Sequence, residues 1–177
     1  MTEAFTTALI AELAKKTGVC WLRYDEGAGS PARPRAAWHV WYDDALHVVA
    51  GGAEQPLPGL EETDRVEVTM RSKENGGRLV TWVGRPSVVR PDDEAWDGVT
   101  DALVSDRLNL ADLATAKDDW AAHSVVLRVD PTGEVVEEPG ALSSDDHLAT
   151  PPPTRATTRG PLPRVLHRRR STRPGLR

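Results

Sequence analysis

Arg65-Val66-Glu67-Val68-Thr69-Met70-Arg71-Ser72-Lys73, then Glu74-Asn75-Gly76-Gly77, then Arg78-Leu79-Val80-Thr81-Trp82-Val83-Gly84-Arg85-Pro86-Ser87-Val88-Val89 is the stretch that decides the fold. Two runs rich in β-branched residues flank an Asn-Gly pair, whose tolerance of positive φ makes it the strongest short-range hairpin signal. Centring the turn on Asn75-Gly76 pairs residues whose numbers sum to 151. Side chains alternate along a strand, so this register puts Val66, Val68 and Met70 with Leu79, Thr81 and Val83 on a core side. The other face then collects Glu67, Thr69, Arg71 and Lys73 with Arg78, Val80, Trp82 and Gly84. Three cations would be aligned near one tryptophan. Such a face would hold a flat anionic ligand, with Arg71, Lys73 and Arg78 near a phosphate and Trp82 against a ring. A solvated strand end, whose cations deter edge-to-edge association, explains the same residues without a ligand.

Upstream, Ala36 to Tyr42 and Ala45 to Ala50 flank Asp43-Asp44, which reads as a second hairpin turn. Its register, with pairs summing to 87, sends His39 to one face with Trp41, Leu46 and Val48, and His47 to the other with Trp38, Val40 and Val49. The two histidines therefore do not share a metal, and His123 and His147 add no zinc-like spacing. Both faces are largely apolar, which predicts a barrel wall covered on two sides, by another element or another subunit. A homodimer is the natural expectation.

A helix is expected over 2–17, where Phe5, Leu9 and Leu13 recur at helical spacing and Gly18 follows the end, and then a short strand from Val19 to Tyr24. A Gly/Ser/Pro-rich loop follows from Asp25 to Pro34. Pro91-Asp92-Asp93-Glu94 opens another helix with Trp96, Val99, Leu103 and Val104 as its apolar stripe, and a helical turn is expected near Leu110 to Lys117. Ser124 to Val129 reads as a last strand, ended by the turn sequence Asp130-Pro131-Thr132-Gly133. The class is mainly β with flanking helices (α+β).

The net charge of −5 hides a division. Residues 149–177 carry eight arginines and no acid, leaving 14 basic against 27 acidic residues before them, a body near −13. Residues 1–142 read as one domain. Residues 143–177, rich in Pro, Thr and Arg, cannot bury enough surface to offset chain entropy and are expected to be disordered. So acidic a body disfavours nucleic acid, which leaves only the tail, without stacking aromatics, to bind it. Docking of the tail on the chain's own acidic dimer is the simpler expectation. The single Cys20 excludes an internal disulfide and sits in an apolar run. The start lacks a signal-like pattern and no stretch reaches the ~20 apolar residues of a membrane span, so the expected location is cytoplasmic. Phosphate-binding loop, GxGxxG, Gly-x-Ser-x-Gly and His-Glu-x-x-His motifs are absent.

Helix, strand, hairpin, loop, hairpin, helix, strand in this order resembles the pyridoxamine 5′-phosphate oxidase-like, flavin-binding split-barrel family. The resemblance runs from about Phe5 to Val129 and rests on Trp38-His39-Val40-Trp41-Tyr42, on the Gly51-Gly52 break and on the Arg71 to Arg85 hairpin. Gly76-Gly77-Arg78-Leu79-Val80-Thr81-Trp82, Gln55-Pro56-Leu57-Pro58-Gly59-Leu60 and Arg107-Leu108-Asn109 are similar to an actinobacterial branch. The resemblance implies a split β-barrel dimer binding FMN or the deazaflavin F420 at the subunit interface and acting as an oxidoreductase on a small molecule. Basic and hydroxyl side chains after the first hairpin would hold the phosphate, which implicates Arg71, Lys73, Arg78, Thr69 and, for the ring, Trp82. One departure stands out: Ala50-Gly51-Gly52-Ala53-Glu54-Gln55 carries an acid where many members have a base. Members that lost the cofactor or take haem leave a second reading, a non-enzymatic binding module whose basic tail docks a protein or an anionic partner.

Overall fold

The computed structural model describes residues 3–27, 32–74, 76–107 and 112–143, with side chains from Thr6 onward. The expected disordered tail, apart from Ser143, lies outside these residues, as do Asn75, Leu108 and Asn109. The elements in chain order are α1 (Glu3–Lys16), β1 (Val19–Arg23), β2 (Arg35–Trp38), β3 (Val40–Tyr42), β4 (Ala45–Ala50), β5 (Val66–Arg71), β6 (Arg78–Val89), α2 (Trp96–Asp106), α3 (Ala116–His123) and β7 (Val125–Glu137).

The seven strands form one antiparallel sheet in the order β2-β1-β5-β6-β7-β4-β3. Its two edge strands, β2 and β3, are consecutive in the chain and joined by His39 alone. The run from Ala36 to Tyr42, expected as one strand, thus bends at His39, and its two halves pair with opposite ends of the sheet. This bend makes the two edge strands neighbours in the chain and curls the sheet toward a barrel. The Gln55 side chain stands in for a missing neighbour at the bend. Its Oε1 accepts from the Trp38 N–H at 2.8 Å and its Nε2 donates to the Trp38 carbonyl at 3.0 Å.

Inside the barrel lie Cys20, Leu22, Leu46, Val48, Val66, Val68, Met70, Val80, Trp82, Leu127 and Val129, with Ile10 and Ala14 of α1 packed against them. A second cluster lies between the outer side of the wall and the helices: Val40, Val49, Val89 and Val126 meet Trp96, Val99 and Leu103 of α2 and Trp120 of α3. All six residues of β4 are buried. Its two-sided cover, expected from the apolar faces, comes from the barrel interior on one side and from the helices on the other.

The first hairpin keeps its expected register, with Val40 opposite His47, Trp41 opposite Leu46 and Tyr42 opposite Ala45. Asp43 and Asp44 take φ values of 47° and 53°. Positive φ at both central residues is the type I′ turn, whose twist matches that of the strands. An L-residue with a Cβ is strained there, whereas glycine is not. Asp43 is held by Arg128 at 2.9 Å, so the replaceable residue is Asp44. Asp44→Gly is expected to stabilise the protein by about 0.5–1 kcal/mol, read as a higher urea midpoint with an unchanged slope.

Three expectations need correction. The second hairpin pairs Val66 with Gly84, Val68 with Trp82 and Met70 with Val80, sums of 150, after a bulge between Met70 and Arg71. The turn closes one residue early, with Ser72 N–H donating to the Gly77 carbonyl at 2.8 Å and Gly76 at φ 69°. A slip of one residue exchanges the faces of one strand relative to the other. Second, β7 runs on through Asp130-Pro131-Thr132-Gly133 to Glu137, because β6 is long enough to pair with it over this whole length. Third, a full helix, α3, follows where only a turn near 110–117 was expected.

Candidate functional site

The slip in register decides where the expected site residues lie. Trp82 is 0% exposed, inside the barrel with Val66, Val68 and Met70, and does not share a face with Arg71. Leu79, Thr81 and Val83 move to the outer face with Glu67, Thr69 and Arg71. The aromatic partner of the cationic face is instead Trp21, whose ring lies 4.6 Å from the Arg71 guanidinium carbon. Trp21 reaches Arg71 because β1 pairs with β5, Trp21 standing opposite Thr69.

The hydroxyls on this face are engaged. Glu137 opposes Thr81 across the β6–β7 ladder, and its carboxylate can only accept. The Thr81 hydroxyl therefore donates to it at 2.9 Å, and Thr69, 2.9 Å from Thr81, must donate to Thr81 in turn. Both hydroxyl protons are spent. Arg78 is spent as well, since its Nη1 meets both Glu137 oxygens at 3.0 and 3.2 Å and its Nη2 donates to the Ser143 carbonyl. Lys73 is exposed near the hairpin tip. Arg71 has no hydrogen bond or ion pair among the described residues; its Nε is buried, while its two Nη groups remain open to solvent. Of the five expected residues, Arg71 and Lys73 remain available to an anion, Thr69 and Arg78 are tied to Glu137, and Trp82 is core.

A second polar cluster surrounds the departure noted at Glu54. This acid, with a side chain only 7% exposed, accepts from Arg107 Nη2 at 2.7 Å and from Trp120 Nε1 at 3.0 Å. The Arg107 guanidinium in turn stacks 4.1 Å above the Trp38 ring. The tight turn of Gly51-Gly52 sets Glu54 in place: Gly52 has φ 60° and a Cβ there would come within 2.7 Å of the His123 carbonyl. A phosphate at Glu54 would meet a buried carboxylate, so no anion site exists at that position.

His39 and His47 are 4% and 0% exposed, and burial pushes each down to about 4. Nε2 of His39 donates to the Ala14 carbonyl at 3.2 Å, whereas both ring nitrogens of His47 lack a partner among the described residues. They stand apart, His39 at the bend against α1 and His47 in the wall. Burial raises the Cys20 thiol, which is 0% exposed. No group of three His, Cys, Asp or Glu suited to a metal ion occurs among the described residues, and no described helix is long and apolar enough to cross a membrane.

Sequence reasoning missed Trp21, Thr81, Glu137, Arg107 and Trp120. All five act across pairings between distant segments, which no local pattern announces. Glu54 alone was legible, as the one acid in an otherwise uncharged break.

No protein-family model matches the chain, and no curated protein matches it. Solved structures do. HutZ, the heme storage protein from Vibrio cholerae, is similar at 17% identity with a TM-score of 0.53, over 70% of this chain and 88% of that one. A conserved hypothetical protein from Mycobacterium tuberculosis gives 16% and 0.55, over 75% and 81%. A protein from Listeria innocua with the provisional name pyridoxamine 5′-phosphate oxidase gives 15% and 0.50, over 74% and 98%. At these identities the likeness is one of fold: the chain has the split-barrel fold that these structures share.

Proposed function

We propose that this split barrel binds a flat, phosphate-bearing redox cofactor, FMN or the deazaflavin F420, on the outer face of β1 and β5, and serves as an oxidoreductase for a small molecule. The observation that carries the reading is Arg71, a guanidinium stacked on Trp21 with two open Nη groups and no carboxylate partner among the described residues. A face with an unpaired planar cation suits a phosphate or a ring carbonyl, which would complete the bonds that the fold leaves open. The residues fit the group through Arg71, Lys73 and Trp21, a smaller set than the sequence suggested. Glu137 keeps Thr69, Thr81 and Arg78 together as the rigid floor of the face.

The flavin or deazaflavin supplies hydride and electron transfer itself, so the protein has to provide binding, orientation and electrostatics. Here Arg71 offsets the phosphate charge within an otherwise acidic body, and its stack on Trp21 limits the rotamers that binding would freeze. The likeness of fold to a protein provisionally named pyridoxamine 5′-phosphate oxidase supports this reading, and the haem storage protein of the same fold widens the list of ligands to test.

The test is the visible spectrum of the purified protein, followed by titration with FMN, F420 and haem. A bound flavin or deazaflavin, or saturable uptake of one, is expected. A colourless protein that takes up neither would leave a non-enzymatic binding module. The chain is further proposed to be a homodimer, and sedimentation as a monomer at micromolar concentration would contradict that.

A further inference from the structure

A cleft of about 520 Å³ opens beside the C-terminus of α1, lined among others by Lys15, Val19, Trp38, His39, Trp41 and Arg107. Its size lies in the range of small-molecule pockets, roughly 300–1,000 Å³. Nine buried side-chain nitrogen and oxygen atoms lack a partner among the described residues, and four of them belong to lining residues: Trp38 Nε1, His39 Nδ1, Trp41 Nε1 and Arg107 Nε. All four atoms are sealed from solvent, so a ligand in the cleft would meet other parts of these side chains, Trp38, Trp41 and Arg107 each being partly exposed.

Charge favours an anion at the cleft mouth: Lys15, Lys16 and Arg107 border it with Asp106 as the one lining acid, and Glu54 lies behind Arg107 outside the lining. Lys16 is occupied by Glu12 at 2.9 Å, but Lys15 has no partner among the described residues. Arg107 is prepared rather than spent: Glu54 takes Nη2 and the Trp38 ring fixes the plane, while Nη1 has no partner among the described residues and is not sealed from solvent. Two indoles and a plane-fixed guanidinium line one cleft, a set of side chains suited to a flat ring carrying negative charge.

We propose that this cleft is a binding site for a small aromatic anion, its carboxylate on Arg107 and its ring against Trp38 and Trp41. The site is separate from Arg71 and does not depend on a cofactor being held there.

Calorimetric titration of the full chain with indole-3-acetate, and with its uncharged amide as control, tests this. Saturable binding of the carboxylate is expected, at least about tenfold tighter than the amide, the discrimination of one charge-assisted bond. Arg107→Lys keeps a cation for Glu54, and so the fold, but loses the planar fork, and should weaken the carboxylate about tenfold. Lys15→Glu, on an exposed residue, should weaken it about twofold to fivefold at low salt. The proposal is overturned if the wild type shows no saturable binding, if the amide binds as well as the acid, or if both variants bind like the wild type.

Discussion

Acidification from pH 7 to about 4 is expected to remove several kcal/mol of stability, beginning well above the range in which carboxylates titrate. The cause is His39 and His47, each pushed down to about 4 from the ordinary 6.5 by burial first; for His47 the Arg128 charge adds to it, against Asp130 and Asp43. Between these values the unfolded chain takes up protons that the folded chain refuses. Stability is therefore complete above pH 6.5 and is lost as the pH falls toward 4. A shift of this size corresponds to about 3 kcal/mol per histidine, a large part of the 5–15 kcal/mol typical of a domain. The carboxylates held low by ion pairs, Glu12, Glu26 and Glu134, act only below their usual range near 4.5, so the two contributions separate on the pH axis. His47→Leu should remove about half of the loss between pH 6.5 and 4.5. It should also leave stability at pH 7 unchanged or raised, since both ring nitrogens are buried without partners. Urea midpoints measured across this window read the effect, and a profile flat down to pH 4.5 would contradict the burial of both rings.

The second large effect concerns Trp82. Trp82→Ala is expected to cost about 3–5 kcal/mol, the range for a large aromatic lost from a packed core. Trp82→Phe should cost much less, because the indole Nε1 has no partner to lose. These variants report on the register of β5 and β6. With pairs summing to 150, Trp82 faces Val68 inside the barrel. With pairs summing to 151 it would stand on the outer face, where its loss would lower stability by under about 1 kcal/mol and would act on ligand binding instead. An alanine variant as stable as the wild type would therefore sink the observed register.

That single residue of register marks the limit of what was legible in the sequence. The strands themselves were readable: β4 and β6 have the expected bounds, and both hairpins were located by their turn residues, Asp43-Asp44 and Asn75-Gly76. Local chemistry sets such turns. The closing of the second turn one residue early and the bulge after Met70 depend on how β6 also pairs with β7, a long-range constraint with no sequence signature. The bend at His39 was hidden for the same reason. Trp38-His39-Val40-Trp41 reads as one strand, and only the closure of the barrel divides it between two neighbours. The face bearing Arg71 was found despite the slip, because β5 alone places Thr69 and Arg71 together. Its aromatic partner was misassigned because Trp21 comes from β1, 50 residues away in the chain. Glu137, which engages Thr81 and Arg78 and through Thr81 also Thr69, lies beyond the point where the last strand was expected to end.

Arg71, as the cation that holds an anionic cofactor, is the central element of the proposed site. Titration of FMN, and in parallel of F420, into the wild type and into Arg71→Glu, followed by the absorbance of the cofactor, tests it. Saturable binding of one cofactor by the wild type, weakened at least about tenfold by the charge reversal, is predicted. Equal affinity in both proteins, or no binding of either cofactor by the wild type, would contradict it.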